Sequence, residues 1–119
     1  MILVIEAEAN VREMVSFMVE NIGYKALSAA NGLEGVDVFR EHADDITAVL
    51  LDLTMPGISS TETFRLLQQT NKDVPVILSS GYSEGEALWR FGEKGLAGFL
   101  GKPFSANDLA AKLHQVINA

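Results

Sequence analysis

The sequence lacks cysteine, which excludes disulfide bonds, thiolate metal sites and cysteine nucleophiles. It also lacks any apolar run approaching the ~20 residues that a membrane-spanning helix needs. Basic residues are scarce, since 9 Lys and Arg face 16 Asp and Glu for a net charge of −7. This balance disfavours non-specific binding to nucleic acid or to anionic lipid. We therefore expect a cytoplasmic protein with an acidic surface and no direct contact with nucleic acid or membrane.

The length and composition are those of an ordinary globular domain. The chain has 119 residues, of which 48% are hydrophobic and 21% charged. A chain of this size buries roughly two-thirds of its unfolded surface without covalent cross-links. We expect one domain that spans residues 1–119.

Residues 48–57 are the stretch around which the other segments are arranged. An apolar run from Ala48 to Leu51 leads into the single carboxylate of Asp52, and Pro56-Gly57 follows closely as a turn signal. A short apolar run bounded by turn signals is typical of a strand buried on both faces of a parallel sheet. Asp52 is then predicted to lie at the carboxyl end of this strand, where open α/β sheets place their ligands.

Strand and helix patterns alternate along the whole chain. Each helix is predicted to start at a polar residue followed three positions later by an acid, a pattern typical of helix capping. The predicted strands are residues 2–5, 24–29, 46–52, 74–78 and 98–100. The predicted helix starts are Asn10 with Glu13, Asn31 with Glu34, Ser59 with Glu62, Ser83 with Glu86, and Ser105 with Asp108.

Strict β-α alternation with short links favours parallel strands with right-handed crossovers. The predicted fold is α/β, a flavodoxin-like, doubly wound five-stranded parallel sheet in the order 2-1-3-4-5 with helices on both faces. Strands one and three are neighbours in this order, so Glu6 and Asp52 are expected to face each other. Strands four and five bring Ser80 and Lys102 to the same edge.

This crevice has a definite chemistry. Carboxylates held close together bind a hard cation, and Mg²⁺ suits an oxygen site that keeps several waters. A cation beside Asp52 keeps its carboxylate ionised and nucleophilic. Ser80 supplies a hydroxyl donor and Lys102 a compact positive charge. Together these groups are suited to holding a phosphoryl group on Asp52.

The chain resembles the receiver domains of two-component signalling response regulators. The likeness rests on four segments: residues 2–5 followed by acids, residues 50–57 (LLDLTMPG), residues 76–81 (VILSSG) and Lys102-Pro103-Phe104. All four in this order and spacing are highly specific. Residues 79–83 and 98–104 look especially like the receivers of hybrid sensor histidine kinases.

The resemblance implies a role for each matching residue. Asp52 is the expected phosphoacceptor, with a histidine kinase or histidine phosphotransfer protein as its donor. Ser80 matches the switch hydroxyl, preferred over Ser79 because it directly precedes Gly81. Lys102 matches the lysine that contacts the phosphoryl group.

Two further roles follow from the same likeness. Phe99 matches the switch aromatic, although a plain core aromatic suits that position equally well. The implied metal ligands are Glu6, Asp52 and the backbone carbonyl of Thr54. Phosphorylation is expected to reshape the face formed by the fourth helix, fifth strand and fifth helix, which is also the expected homodimer face. The domain itself is expected not to be an enzyme.

One position departs from the family pattern. The family carries two adjacent acids after the first strand, whereas this chain has Glu6-Ala7. By resemblance the missing acid is the direct metal ligand, and alanine offers no side-chain oxygen. We expect Glu8 not to replace it. The sequence therefore predicts a weak or absent Mg²⁺ site and slow or absent phosphorylation.

Three other functions were weighed against this interpretation. The main alternative is a pseudo-receiver that never carries phosphate and acts through protein contacts. A flavodoxin is disfavoured because Glu6 and Glu8 would repel a phosphate after the first strand. A haloacid-dehalogenase-like phosphatase needs a second Asp where Thr54 stands.

Overall fold

Five strands alternate with five helices along the chain. The computed structural model describes residues 1–54, 57–91 and 95–118. The strands are β1 (Ile2–Ile5), β2 (Ala26–Ala29), β3 (Ala48–Asp52), β4 (Val76–Ser80) and β5 (Gly98–Gly101). The helices are α1 (Ala9–Ile22), α2 (Gly32–His42), α3 (Ser60–Thr70), α4 (Glu84–Phe91) and α5 (Ala106–Ile117).

The sheet is parallel throughout, in the order β2-β1-β3-β4-β5. The predicted fold class and strand order are confirmed. Strands β1, β3 and β4 are buried along their whole length, as continuous apolar runs in a two-sided sheet require. Among the described residues, no helix is long and apolar enough to cross a bilayer.

Alternating strand residues divide the core into two layers. The side chains of Leu3, Val49 and Leu78 pack on one face against helices α2, α3 and α4. Those of Val4, Leu50, Ile77 and Leu100 pack on the other face against α1 and α5. Each strand residue therefore has a face that can be deduced by counting along the strand.

Helix starts followed the predicted caps at most positions. Asn31 accepts from the N–H of Glu34, and Ser59 from that of Glu62. Ser105 and Asp108 form a full capping box. The cap expected at Asn10 was wrong, because α1 begins at Ala9 and its N-cap is Glu8, whose side chain makes no cap hydrogen bond. Gly23 closes α1 with φ of 119°, a left-handed conformation that favours glycine.

Strand boundaries differ from the predicted ones by a few residues. The strand predicted over residues 74–78 is observed at Val76–Ser80, and residues 24–25 and 46–47 precede β2 and β3. The Met55-Pro56 part of the predicted turn lies outside the described residues. The predicted end of α4 near Gly95 lies partly outside them.

Candidate functional site

Glu6 directly follows β1 and is 5% exposed. Its N–H donates to the carbonyl of Ala29 at 3.1 Å, and its Oε2 accepts from the N–H of Glu8 at 3.2 Å. The guanidinium of Arg12 donates to the carbonyls of Glu6 (2.8 Å) and Ala7 (3.3 Å). Hydrogen bonds to its backbone and to the Glu6 carboxylate therefore fix the loop that carries Glu6.

Asp52 ends β3 and is 5% exposed. Its Oδ1 accepts from the N–H of Thr54 at 3.3 Å. Because Ile5 pairs with Leu51 across the β1–β3 boundary, the next residues, Glu6 and Asp52, leave the sheet side by side. The structure therefore brings the predicted carboxylates together at the carboxyl edge of the sheet.

Lys102 joins these two carboxylates. Its backbone N–H donates to the carbonyl of Ser80 at 2.7 Å. Its ammonium lies 2.6 Å from Glu6 Oε1 and 3.2 Å from Asp52 Oδ1. The Lys102-Pro103 peptide bond is cis. Glu6, Asp52 and Lys102, which are far apart in sequence, thus form one buried ionic cluster.

This arrangement changes the proton affinity of two of its members. Burial raises the pKa of the Asp52 carboxyl from 3.8 to about 6, the charge of Lys102 opposes the rise, and that of Glu6 adds to it. Burial acts against the charged form of Lys102, but its bond to Glu6 and the two nearby carboxylates raise its pKa overall. The ammonium therefore stays charged at neutral pH.

The two candidate hydroxyls occupy opposite faces of β4. Ser80 is 1% exposed, and its Oγ accepts from the N–H of Tyr82 at 2.9 Å. Counting from Leu78, Ser80 points to the side of α2, α3 and α4, whereas Ser79 shares the face of Ile77. Ser79, 6% exposed, is also the residue that pairs with Asp52. Ser80 makes no side-chain hydrogen bond to the ionic cluster within the described part of the chain.

Phe99 lies one strand further out, paired with Leu78 and partly buried against the core layer on the α2–α4 side. A mobile aromatic and a plain core aromatic both suit this position, so its role stays a prediction.

The sequence assigned no role at the site to three residues near it, although Ser79 was the alternative to Ser80 as the switch hydroxyl. Arg12 holds the loop after β1, and no local sequence pattern predicts its hydrogen bonds to the two backbone carbonyls. Ser60 is 4% exposed, and its hydroxyl donates to the carbonyl of Leu53 at 3.0 Å, which fixes the chain after Asp52. Ser79 could have been found by counting its register from β3.

The described part of the cleft offers few side-chain oxygens for Mg²⁺. Ala7 offers no side-chain oxygen, and Glu8 is exposed. Both remaining carboxylates are already bonded to the Lys102 ammonium. Within residues 1–54, 57–91 and 95–118, no group of three or more acids or histidines is placed to hold a metal ion. Magnesium prefers a near-octahedral shell of oxygens, and this cleft supplies few of them.

Comparison with known proteins identifies the family. The family described as "Response regulator receiver domain" matches residues 2–114. The phosphate regulon transcriptional regulatory protein PhoB of Klebsiella pneumoniae is 34% identical over 118 residues, which are 98% of this chain and 51% of PhoB. This chain thus spans about half the length of that curated relative.

Solved structures agree in fold. The receiver domain of the hybrid histidine kinase CckA superposes with a TM-score of 0.82 at 30% identity, covering 98% of this chain and 97% of that one. The receiver domain of sensor histidine kinase PA1611 from Pseudomonas aeruginosa PAO1, with magnesium coordinated in its active-site cleft, superposes with a TM-score of 0.90 at 21% identity, covering 99% and 97%. The chain belongs to the response regulator receiver domain family of two-component systems.

Proposed function

We propose that this receiver accepts a phosphoryl group on Asp52 from a histidine kinase or histidine phosphotransfer protein. The observation that carries the proposal is the contact between the buried Asp52 carboxylate and the Lys102 ammonium, 3.2 Å apart at the carboxyl edge of the sheet. A buried carboxylate that faces a fixed cation can take a dianionic group without leaving its charge uncompensated.

The contacts of Asp52 indicate which oxygen reacts. The N–H of Thr54 and the ammonium of Lys102 both donate to Oδ1, so Oδ2 is the oxygen we expect to attack phosphorus. The new bond joins Oδ2 to phosphorus, the bond to the donor histidine nitrogen breaks, and that nitrogen keeps the electron pair. Lys102 then neutralises charge on the phosphoryl oxygens.

We propose that Ser80 and Phe99 change position when Asp52 is phosphorylated. To reach a phosphoryl oxygen, we expect the Ser80 side chain to rotate away from the N–H of Tyr82, from which its hydroxyl now accepts a hydrogen bond at 2.9 Å. That exchange would loosen the start of α4 and let Phe99 follow. A two-state element biased by one charge-assisted hydrogen bond is a general form of such switches.

We further propose that metal dependence is weakened in this chain. Mg²⁺ occupies the cleft of the related PA1611 receiver, but Ala7 removes one carboxylate from the corresponding edge here. Phosphoryl transfer is therefore expected to be slow, and Lys102 supplies most of the neutralising charge.

The test is intact-mass measurement after incubation with acetyl phosphate and Mg²⁺. We expect a slow gain of one phosphoryl group in the parent, no gain in Asp52→Asn, and faster gain in Ala7→Asp. Asp73→Asn, which changes an exposed acid, serves as the matched control and should behave like the parent. Gain that persists in Asp52→Asn would contradict the assignment of the phosphoacceptor.

A pseudo-receiver is the second candidate, and the neutralised cluster of Glu6, Asp52 and Lys102 favours it. The ammonium already bonds both carboxylates, so their charge is compensated in part without phosphate or a metal ion. Absence of any mass gain in the parent, with a cognate kinase as well as with acetyl phosphate, would support this candidate.

The wider context is also a proposal. The likeness to the CckA receiver supports a place in a hybrid kinase pathway, with a role in signalling rather than as an enzyme and a cytoplasmic location. An open cleft of about 410 Å³ between α4, β5 and α5, lined in part by Glu84, Phe99 and Asp108, lies on the face that we expect to dimerise. Size measurement before and after phosphorylation tests that face.

A further inference from the structure

Ser79 is a buried residue whose hydroxyl the phosphoacceptor scheme leaves unused. It is 6% exposed and pairs with Asp52 across the β3–β4 boundary. Among the residues that the structure describes, its Oγ makes no hydrogen bond, although buried hydroxyls are in most cases partnered. Among the described side chains, only the Ser16 hydroxyl is fully buried without a partner, so the Ser79 Oγ keeps contact with space that a water can enter.

A small cavity adjoins this hydroxyl. Its volume is about 10 Å³, and its polar lining residues are Ser79, Glu6 and Lys102. Val15 and Phe104 are among the apolar residues that close it. A cavity of this volume holds about one water, and a buried water needs two to four polar partners. A hydroxyl, a carboxylate and an ammonium meet that requirement.

Lys102 has a donor available for such a water. An ammonium carries three N–H donors, and the bonds to Glu6 and Asp52 use two of them. The third can point toward the cavity, because Lys102 lines it on the same side of the sheet as Ser79.

We propose that this cavity binds one ordered water that links the Ser79 hydroxyl to the Lys102–Glu6 ion pair. Ser79 is then a positioning residue that fixes the depth of the Lys102 ammonium beneath Asp52. The inference deepens the proposed phosphoacceptor function, since the position of Lys102 decides how it meets a phosphoryl group. The water link itself exists in the unmodified protein and can be tested there.

The first test is a double-mutant cycle on the unphosphorylated protein, with the urea midpoint as readout. Ser79→Ala should lower the midpoint in the parent and leave it unchanged in the Lys102→Met background, because the hydroxyl acts through the ammonium. Should Lys102→Met fail to fold, Glu6→Gln replaces it in the cycle with the same expectation of a reduced effect. An equal drop in both backgrounds would show a plain structural role and overturn the proposal.

Two further variants serve as controls for the double-mutant cycle. Ser60→Ala removes an equally buried hydroxyl that does not line the cavity, so its effect should be the same with Lys102 or Met. Ser79→Cys keeps the size of the side chain but weakens its hydrogen bonding, so it should resemble Ser79→Ala. A cysteine variant that keeps the full parent midpoint would contradict a hydrogen-bonding role.

The second test is a high-resolution crystal structure of the unphosphorylated protein. We expect one water within hydrogen-bond distance of both Ser79 Oγ and Lys102 Nζ, and its loss in Ser79→Ala. A direct bond from Ser79 to Asp52, or a cavity without water, would overturn the proposal. Because neither test uses phosphate, a failure to phosphorylate Asp52 would leave both results interpretable.

Discussion

Lys102 carries the positive charge that two buried carboxylates share. Glu6 and Asp52 are each 5% exposed, and the Lys102 side chain is 26% exposed. Removing one partner of a buried ionic cluster leaves uncompensated charge, which is more damaging than the net worth of the pair suggests. The cluster therefore links stability to the same groups that are proposed to react.

Replacement of Lys102 by Met is expected to lower the free energy of unfolding at pH 7.5 by about 2–3 kcal/mol. This loss is smaller than that for breaking a fully buried ion pair, because the lysine side chain is partly exposed. The loss should shrink near pH 5, below the raised pKa of Asp52 of about 6, because that carboxyl then carries a proton. Urea denaturation measures it. Lys72→Met, at an exposed lysine, is the matched control and should stay within about 0.5 kcal/mol of the parent.

The raised pKa of Asp52 predicts a pH dependence of stability. The folded protein binds this proton more tightly than the unfolded chain, so Asp52 contributes stability below pH 3.8 that is lost as pH rises through about 6. Asp52→Asn cannot ionise, and its unfolding free energy should vary less between pH 4 and 7 than that of the parent. Urea titrations across this range give the comparison. Equal slopes in parent and variant would contradict the raised pKa.

Sequence reasoning could place Glu6, Asp52 and Lys102 because each directly follows or ends a strand. It preferred Ser80 to Ser79 as the switch hydroxyl because Ser80 precedes Gly81, and the pairing of Ser79 with Asp52 became visible only from the register between β3 and β4. It could not show that one ammonium bonds both carboxylates, since that depends on side-chain distances. The functional roles of all these residues stay predictions.

At the scale of elements, the helix caps show where local sequence decides structure. Asn31, Ser59 and Ser105 each accept a hydrogen bond from the backbone three residues on. The start of α1 does not follow this rule. There the chain is held by Arg12 and by the Glu6 carboxylate, and these tertiary contacts set the boundary at Ala9 instead of the local pattern at Asn10.

This difference predicts unequal effects of two cap substitutions. Ser105→Ala removes the hydrogen bond from the Asp108 N–H to the Ser105 hydroxyl, which is the side-chain half of the capping box contributed by Ser105, and should lower the free energy of unfolding by about 1 kcal/mol. Glu8→Ala removes a side chain that makes no cap bond and should change it by less than about 0.5 kcal/mol. Thermal and urea unfolding of the two variants test this. Equal losses would show that the side chain of Glu8 does cap α1.

Packing of α2 on the sheet depends on Gly35. A Cβ at this position would lie 2.5 Å from Cδ1 and 2.8 Å from Cγ1 of Ile5, the residue before Glu6. Gly35→Ala should therefore lower the free energy of unfolding by about 1–2 kcal/mol, because overpacking outweighs the gain in helix propensity. Gly85→Ala in α4, where a Cβ meets nothing within 4 Å, is the control and should stabilise by up to about 1 kcal/mol. Urea denaturation compares the two, and a stabilised Gly35→Ala would show that Ile5 moves freely.

At the scale of the whole molecule, the strand order follows from the alternation of strands and helices. Short links force parallel pairing and right-handed crossovers, so the neighbours of β3 could be deduced without coordinates. Exact strand ends could not, because residues such as Val74 and Ile46 are buried and apolar whether or not they lie in a strand. Glu6, Asp52 and Lys102 come together because of the strand order alone. Small errors in the predicted strand ends therefore do not change the prediction that they meet.

We propose that Ala7 leaves this receiver short of a metal ligand, so that Lys102 carries the charge balance around Asp52. Calorimetric Mg²⁺ titration of the parent, Ala7→Asp and the exposed-site control Ala9→Asp tests it most directly. We expect Ala7→Asp to bind on the order of tenfold tighter or more than the parent, and Ala9→Asp to resemble the parent. Parent protein that binds Mg²⁺ as tightly as Ala7→Asp would contradict the account.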